Sequence, residues 1–289
     1  MTVRAWAELL RLPALFTVPG DVLAGAAAVS ARPDRRTLLA VGSSLCLYEA
    51  GMALNDWADR DEDAGERPHR PIPSGRIQPA AALAAACAFT VAGLALASRA
   101  GRPALAVATP LATTVWAYDL SLKHTPAGPA AMAAARGLDL LLGAAATRPA
   151  SGATRRALPS AALLSTHTLA LTTVSRRETT GGAALPPLAA LAATGALSFF
   201  LSRPRAAAAR DLLRTALTAA YAATAARPYL HAALNPSPPL TQRAVGGGIR
   251  ATIPLQAALS ARAGAPVTAL LTAALAPLAA KFARKVSVT

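Results

Sequence analysis

Negative charge is scarce in this sequence. The 289 residues include 14 Asp and Glu against 29 Lys and Arg, which gives a formal net charge of +15, and charged residues make up only 15% of the chain. A soluble domain carries about a quarter charged residues, so this chain has too few to cover the surface of a soluble globule. Its hydrophobic content of 54% excludes a disordered chain. A membrane protein is therefore the first hypothesis.

Aromatic residues and cysteines are also few, and their scarcity excludes several classes of function. Aromatic residues make up 4% of the chain, so few side chains are available for bases to stack on. The basic residues fall in ones, twos and threes between apolar runs and form no basic stripe. Cys46 and Cys87 lie inside apolar runs and form neither a zinc-binding spacing nor a disulfide framework. The sequence also lacks a glycine-rich nucleotide loop and an HExxH pair. We expect no nucleic-acid partner.

Uncharged segments recur along the chain at the length that crosses a bilayer. Residues 79–98, 157–175, 179–202 and 263–280 contain no Asp, Glu, Lys or Arg, and about 20 mostly apolar residues span the hydrocarbon core. Helices are predicted near residues 6–30, 37–58, 79–99, 103–122, 128–147, 157–175, 183–202, 207–232, 244–262 and 265–284. These lengths disfavour the alternative of an alanine-rich soluble helical protein. The predicted fold is an all-α, polytopic transmembrane bundle of nine or ten helices, forming one domain over residues 1–289.

The scarce acid is concentrated in one place, because six of the fourteen acidic residues lie between Asp56 and Glu66. Asn55, Asp56, Asp59 and Asp63 recur every three or four residues, which places them on one helical face. A hard divalent cation would offset the repulsion between these carboxylates, and Mg²⁺ typically takes one or two carboxylates plus phosphate oxygens. The spacing therefore predicts a metal-bound phosphate or diphosphate. The alternative is a solvated acidic helix end, which the helix macrodipole opposes.

Arginines follow the acidic cluster on a loop stiffened by prolines. Arg67, Arg70 and Arg76 lie in the segment E-R-P-H-R-P-I-P-S-G-R of residues 66–76. A guanidinium group matches phosphate oxygens with two parallel hydrogen bonds. Metal on one side and guanidinium groups on the other would together hold a diphosphate.

The acidic motif and this loop resemble the UbiA superfamily of intramembrane prenyltransferases. The resemblance rests on the NDxxDxxxD pattern of residues 55–63 and the R-P-x-R-P-I-P-S-G-R-I pattern of residues 67–77, and it extends to the segment Y-D-L-S-L-K at 118–123. It implies an integral membrane enzyme, in a bacterial plasma membrane, that uses Mg²⁺. The implied reaction joins an isoprenoid chain from a polyprenyl diphosphate to an aromatic or other small acceptor. Membrane lipid is the other expected partner.

The resemblance also implies roles for individual residues. The implied metal ligands are Asn55, Asp56, Asp59 and Asp63. The implied catalytic residues are Asp56, Asp59, Tyr118 and Lys123, and Arg67 and Arg70 would contact the diphosphate. A separate prediction comes from spacing, since Glu49 precedes Asp56 by two helical turns and is expected to face the same cavity. There Glu49 would contact the acceptor or act as a base, or alternatively pair with a neighbouring helix.

The sequence departs from the family pattern after the predicted sixth helix, where the resemblance implies a second acidic motif. Glu178 stands where two aspartates are expected, and Arg176 and Arg177 precede it. Guanidinium groups can neutralise phosphate in place of a metal ion, so both arginines are predicted to bind the substrate. The departure also resembles the EboC-like branch of the family. The alternative function is therefore a non-catalytic component that binds or transports a lipid or precursor.

Overall fold

The computed structural model describes residues 3–147, 152–203 and 208–286, and these ranges contain helices and no strand. The α-helices are α1 (Val3–Leu9), α2 (Pro19–Ala28), α3 (Arg35–Ala58), α4 (Arg60–Glu66), α5 (Pro79–Ala100), α6 (Arg102–Ala117), α7 (Gly128–Thr147), α8 (Ala153–Ser175), α9 (Leu185–Ser202), α10 (Ala208–Leu234), α11 (Pro238–Arg262) and α12 (Pro266–Val286). A 3₁₀ segment covers Leu12–Thr17 and a π-helical turn covers Tyr118–Leu122. The all-α prediction is confirmed.

Within the described residues, four helices are long and apolar enough to cross a membrane: α3, α5, α7 and α9. At 1.5 Å per residue, the 24 residues of α3 extend about 36 Å, which exceeds the hydrocarbon core of about 30 Å. The two ends of α3 therefore lie near opposite faces of the bundle. The total of nine or ten membrane-spanning helices stays a prediction.

The prediction of one helix over residues 6–30 was wrong, because this segment is divided into α1, the 3₁₀ segment and α2. Arg11 has a left-handed backbone conformation with φ of 46°, which prevents α1 from continuing into the 3₁₀ segment as one helix. A proline lies at the start of the 3₁₀ segment and another, Pro19, begins α2. Proline lacks the N–H that a continuous helix would use, so it is tolerated at these starts and disfavoured in a helix interior.

The boundaries of α3 position the acidic cluster. At its beginning, Asp34 Oδ1 accepts a hydrogen bond of 2.9 Å from the backbone N–H of Thr37, and Thr37 Oγ1 accepts one from the N–H of Asp34. This reciprocal cap fixes the start of the helix. At its end, Asp59 leaves α-helical geometry, with ψ near 2°, and the separate short helix α4 follows. Asp63 therefore belongs to α4 and does not continue the face of α3.

Helix α7 lies at the centre of the bundle, with α2, α3, α6 and α8 against it. A Cβ added at Gly25 would lie 1.9 Å from the Leu140 carbonyl oxygen, and one at Gly143 would lie 2.1 Å from that of Val22. The backbones of α2 and α7 are thus in contact, as small residues allow in membrane bundles. Near the starting end of α3, Thr37 and Thr147 share a hydrogen bond of 2.8 Å. The acidic cluster lies at the opposite end.

Candidate functional site

Two carboxylates from different helices converge on one guanidinium group. Asp63 Oδ2 lies 2.6 Å from Arg70 Nη1, and Asp56 Oδ1 lies 3.5 Å from the same nitrogen. Asp56 is 4% exposed and Asp63 is 2% exposed. A buried carboxylate needs a cationic partner because desolvation is costly. The Arg70 nitrogen therefore marks a position at which positive charge bridges Asp56 and Asp63.

A second guanidinium, that of Arg11, reaches the same cluster from the segment between α1 and the 3₁₀ turn. Arg11 Nη2 lies 2.9 Å from Asp56 Oδ1 and 3.4 Å from Asn55 Oδ1. Asn55 Nδ2 in turn donates a hydrogen bond of 3.1 Å to Asp119 Oδ1. Arg11 and Asp119 were not predicted as site residues. The available signal for Asp119 was an acidic residue beside Tyr118 inside an otherwise apolar segment.

Asp59 points to a different partner because the chain turns at its position. Its carboxylate forms an ion pair with Lys123, which follows the π-helical turn. His124 Nε2 lies 3.8 Å from Asp59 Oδ1 and 3.8 Å from Glu62 Oε2, and donor atoms of Asp59, Glu62 and His124 lie within 4.8 Å of one another. The predicted single acidic face is therefore divided, with Asp56 and Asp63 together and Asp59 directed toward Lys123.

The proline-stiffened loop delivers two of its three arginines to the carboxylates. Arg67 Nη1 lies 3.5 Å from Asp63 Oδ1, on the side of Asp63 away from Arg70. Arg76 instead forms two hydrogen bonds with Glu8, at 2.6 and 3.0 Å. These hydrogen bonds from Arg76 lower the pKa of Glu8. Arg76 thus connects the loop of residues 66–76 to α1 through its hydrogen bonds with Glu8.

The end of α8 lies beside the same site. Arg176 Nη1 donates a hydrogen bond to the carbonyl oxygen of Thr125, two residues after Lys123. Burial raises the pKa of the Glu178 carboxyl, and the charge of Arg67 opposes that rise. The side chain of Arg177 is exposed and forms no hydrogen bond or ion pair within the described part of the chain. The structure therefore brings Arg176 and Glu178 toward the site, and it leaves Arg177 outside.

A cavity of about 210 Å³ extends from this cluster into the bundle between α3, α6 and α7. Asn55, Tyr118 and Asp119 line the end nearest the acidic cluster, and Arg136 and Asp139 line another part. Its apolar lining is formed by Leu47, Met52, Leu111, Val115, Met132 and Ala135. Such walls exclude water from a reacting group.

Polar side chains in the interior of this cavity are paired with one another. Arg136 Nη1 lies 2.9 Å from Asp21 Oδ2, and Gln256 Nε2 donates a hydrogen bond of 2.6 Å to Asp21 Oδ1. Ser44 Oγ donates a hydrogen bond of 2.6 Å to Asp139 Oδ2. The positive charge of Arg136 is therefore offset within the protein.

Glu49 is not among the residues that line this cavity. Its side chain is on α3 and the residue is 6% exposed. Within the described residues, neither of its carboxylate oxygens has a hydrogen-bond partner. The structure thus buries Glu49 near the site without bringing it to the cavity.

The oxygen donors of the cluster fit a hard divalent cation. Asp56 and Asp63 already share one positively charged nitrogen, and Asn55 adds an amide oxygen beside them. Asp59 is 17% exposed at its side chain, so its second oxygen is available at the rim. Carboxylates of this kind, together with phosphate oxygens, are what Mg²⁺ requires.

The comparisons with known proteins give the family. A sequence model described as the UbiA prenyltransferase family matches residues 14–182, more than half of the chain, and the protein belongs to this family. Together with the four apolar helices, this membership makes the chain an integral membrane protein of the prenyltransferase class.

Curated archaeal relatives share the name digeranylgeranylglyceryl phosphate synthase. The chain is 36% identical to the one from Methanopyrus kandleri over 129 residues, which is 43% of this chain and 46% of that protein. It is 32% identical to the one from Ignicoccus hospitalis over 157 residues, 54% of this chain and 52% of that protein. The chain thus spans about half the length of these relatives, and their archaeal origin gives no support to the predicted bacterial one.

Solved structures agree in fold. The apo structure of a UbiA homologue from Aeropyrum pernix matches with a TM-score of 0.69 and 19% identity, over 85% of this chain and 96% of that one. A UbiA homologue from Archaeoglobus fulgidus bound to GPP and Mg²⁺ matches with a TM-score of 0.55 and 14% identity, over 96% and 99%. These likenesses show that the chain has the UbiA fold.

Proposed function

We propose that this protein transfers an isoprenoid chain from a polyprenyl diphosphate to an aromatic or other small acceptor, with Mg²⁺ as cofactor, in the plasma membrane. The observation that carries the proposal is the pair of buried carboxylates, Asp56 and Asp63, bridged by Arg70 at the entrance of an apolar cavity. The name of the curated relatives supports the reaction class, and the Archaeoglobus homologue was solved with GPP and Mg²⁺.

The residues proposed to hold Mg²⁺ are Asn55, Asp56, Asp59 and Asp63. When bound, Mg²⁺ would stabilise the negative charge of the leaving diphosphate. In the structure Arg70 occupies the position between Asp56 and Asp63. A cation that bound these carboxylates would free the Arg70 guanidinium for the phosphate oxygens. Arg67, on the other side of Asp63, is proposed to make the same kind of contact.

Lys123 and Tyr118 are proposed to act on the leaving group. Lys123 has a side chain that is 10% exposed and is held by Asp59, so its charge is little screened by water. The allylic C–O bond breaks with both electrons going to the diphosphate, whose new charge Lys123 and the arginines stabilise. The acceptor atom then bonds to the allylic carbon and loses its proton to the released diphosphate. Apolar walls of the cavity keep water from the carbocation during this step.

Arg176 is proposed to bind the diphosphate in place of a second metal ion. It lies beside the residues that follow Lys123. Arg177 was predicted to share this role, but its lack of contacts makes it the weaker candidate. The role of Glu49 as a contact of the acceptor stays a proposal with less support, because Glu49 does not line the cavity.

Among possible acceptors, a hydroxyl-bearing molecule is favoured. The charge of Arg136 is neutralised by Asp21, so Arg136 is not free to bind the carboxylate of an acidic acceptor. Ser44 and Asp139 offer hydrogen-bonding groups that suit a neutral hydroxyl. The relatives' name, which concerns a glyceryl phosphate carrying geranylgeranyl chains, is consistent with an alcohol acceptor.

The second candidate function is binding or transport of a lipid-linked precursor without turnover. The observation in its favour is the end of α8, where Glu178 is the single carboxylate and two arginines precede it. Such a protein would bind the diphosphate and release it unchanged.

Turnover separates the two functions. Membranes that contain the protein would be incubated with labelled geranyl and geranylgeranyl diphosphate and a panel of alcohol and phenol acceptors. Label transfer that requires Mg²⁺ and is lost in Asp59→Ala supports the enzyme. Binding of the diphosphates without transfer to any acceptor of the panel supports the non-catalytic function.

A further inference from the structure

A second cavity lies at the start of α3, the end opposite the acidic cluster. Its volume is about 460 Å³, and it is lined by Arg35, Arg36, Leu39 and Arg99. Arg35 and Arg36 begin α3, whereas Asp56 is near its end about 30 Å away at 1.5 Å per residue. Arg99 is in the last turn of α5, which runs antiparallel to α3. This cavity is therefore separate from the proposed diphosphate site.

The guanidinium groups of this cavity are less closely paired with carboxylates than those of the acidic cluster. Arg35 and Arg99 form no hydrogen bond or ion pair from their side chains within the described part of the chain. Arg36 interacts electrostatically with Asp34, whose carboxylate already accepts the hydrogen bonds that cap α3. Three like charges around one cavity repel one another, so an anion placed between them would be stabilised.

The surroundings of the cavity favour an anion that carries an apolar chain. Leu39 forms part of the lining, and the neighbouring Leu38 is 68% exposed. An exposed leucine beside such a cavity offers an apolar contact to an acyl chain. Arginines at helix ends lie at the level of lipid headgroups, and their fork geometry matches a phosphodiester.

We propose that the cavity formed by Arg35, Arg36, Leu39 and Arg99 binds the phosphate headgroup of an anionic phospholipid in the leaflet opposite the acidic cluster. The acyl chains of this lipid lie along the exposed apolar surface beside Leu38. The site does not depend on the proposed prenyl transfer, because no residue of the acidic cluster contributes to it.

Lipid retention measures this binding directly. The full chain would be purified in mixed micelles containing equal amounts of phosphatidylglycerol and phosphatidylcholine, and the bound lipid would be counted by native mass spectrometry. We expect phosphatidylglycerol to be retained in preference. Because each basic residue near an anionic surface contributes about a fivefold change in binding, R35Q/R36Q is expected to lower this retention about 25-fold.

The chain supplies a matched control in Arg155 and Arg156. This adjacent pair begins α8 at the same face, is exposed and does not line the cavity. R155Q/R156Q removes the same charge from the same face, and we expect it to change phosphatidylglycerol retention less than twofold. Equal losses in the two double variants would show a general charge effect and overturn the proposal.

Two further arms complete the test. R99Q, on a different helix, is expected to weaken retention even if R35Q/R36Q folds poorly, and unchanged retention in R99Q would contradict the site. Inorganic phosphate added to the wild-type protein distinguishes the two sources of phosphate. If low millimolar inorganic phosphate displaces phosphatidylglycerol, the cavity is a free-phosphate site and the assignment to a lipid headgroup is wrong.

Discussion

At the scale of single residues, Asp59 can be compared with Asp61 of the same acidic run. It stands at the junction of α3 and α4, and its ion pair with Lys123 connects the acidic cluster to the π-helical turn. Asp61, two residues later, has an 88% exposed side chain and lies 3.4 Å from Arg60 Nη2. The two aspartates belong to the same acidic run, but only one of them faces the proposed substrate.

This difference gives a matched pair of variants. We expect Asp59→Asn to lower Mg²⁺-dependent prenyl transfer by at least about 100-fold, because it removes a charge at the leaving group. Asp61→Asn should stay within about twofold of the wild type, since an exposed ion pair contributes little. Initial rates with labelled geranylgeranyl diphosphate measure both. Equal rates for Asp59→Asn and Asp61→Asn would remove Asp59 from the site.

The two arginines after α8 form a second pair. Arg176 contacts the carbonyl of Thr125, whereas Arg177 is exposed and unpaired in the described residues. Arg176→Gln is expected to weaken geranyl diphosphate binding about tenfold, the contribution of one charge-assisted hydrogen bond. Arg177→Gln should bind like the wild type. Titration of the purified variants would settle the comparison, and a larger loss in Arg177→Gln would reverse our assignment.

Sequence reasoning selected most of the clustered residues, including Arg70 and Lys123, but it did not give the contacts between them. Asn55, Asp56, Asp59 and Asp63 are recognisable because they recur at helical spacing in a chain with little acid. Arg11 comes from 44 residues earlier and reaches Asn55 only because the first segment folds back onto α3. No local pattern encodes such a contact.

At the scale of helices, hydropathy predicted the long elements closely. The predicted helix over residues 128–147 coincides with α7, and the one over 37–58 differs from α3 by two residues. Short elements were missed, because α4 has only seven residues, five of them charged, and no apolar stripe. That miss explains the wrong expectation of one continuous acidic face.

Packing between α2 and α7 can be tested with glycines. A methyl group at Gly25 would meet the Leu140 carbonyl at 1.9 Å, while one at Gly195 on α9 meets nothing within 4 Å. We expect Gly25→Ala to lower the free energy of unfolding by about 1–3 kcal/mol, because the helices must separate. Gly195→Ala should leave it unchanged or raise it by up to about 1 kcal/mol. Thermal unfolding in detergent compares the two, and equal stability would argue against this contact.

At the scale of the whole molecule, charge is divided between two faces of the bundle. On one face the carboxylates of Asp56, Asp59 and Asp63 hold basic side chains in close pairs. On the other face, Arg35 and Arg99 have no such partners among the described residues. The basic side chains around the acidic cluster are therefore closely paired with carboxylates, whereas these two arginines at the opposite face are not.

The central claim is that the carboxylates and the neighbouring cationic side chains form one metal and diphosphate site. Isothermal titration of the purified wild-type chain with geranyl diphosphate, in Mg²⁺ and then in EDTA, tests it most directly. We predict binding in Mg²⁺ that weakens at least about tenfold in EDTA, because unshielded carboxylates repel the diphosphate. Equal affinity with and without Mg²⁺ would contradict the claim.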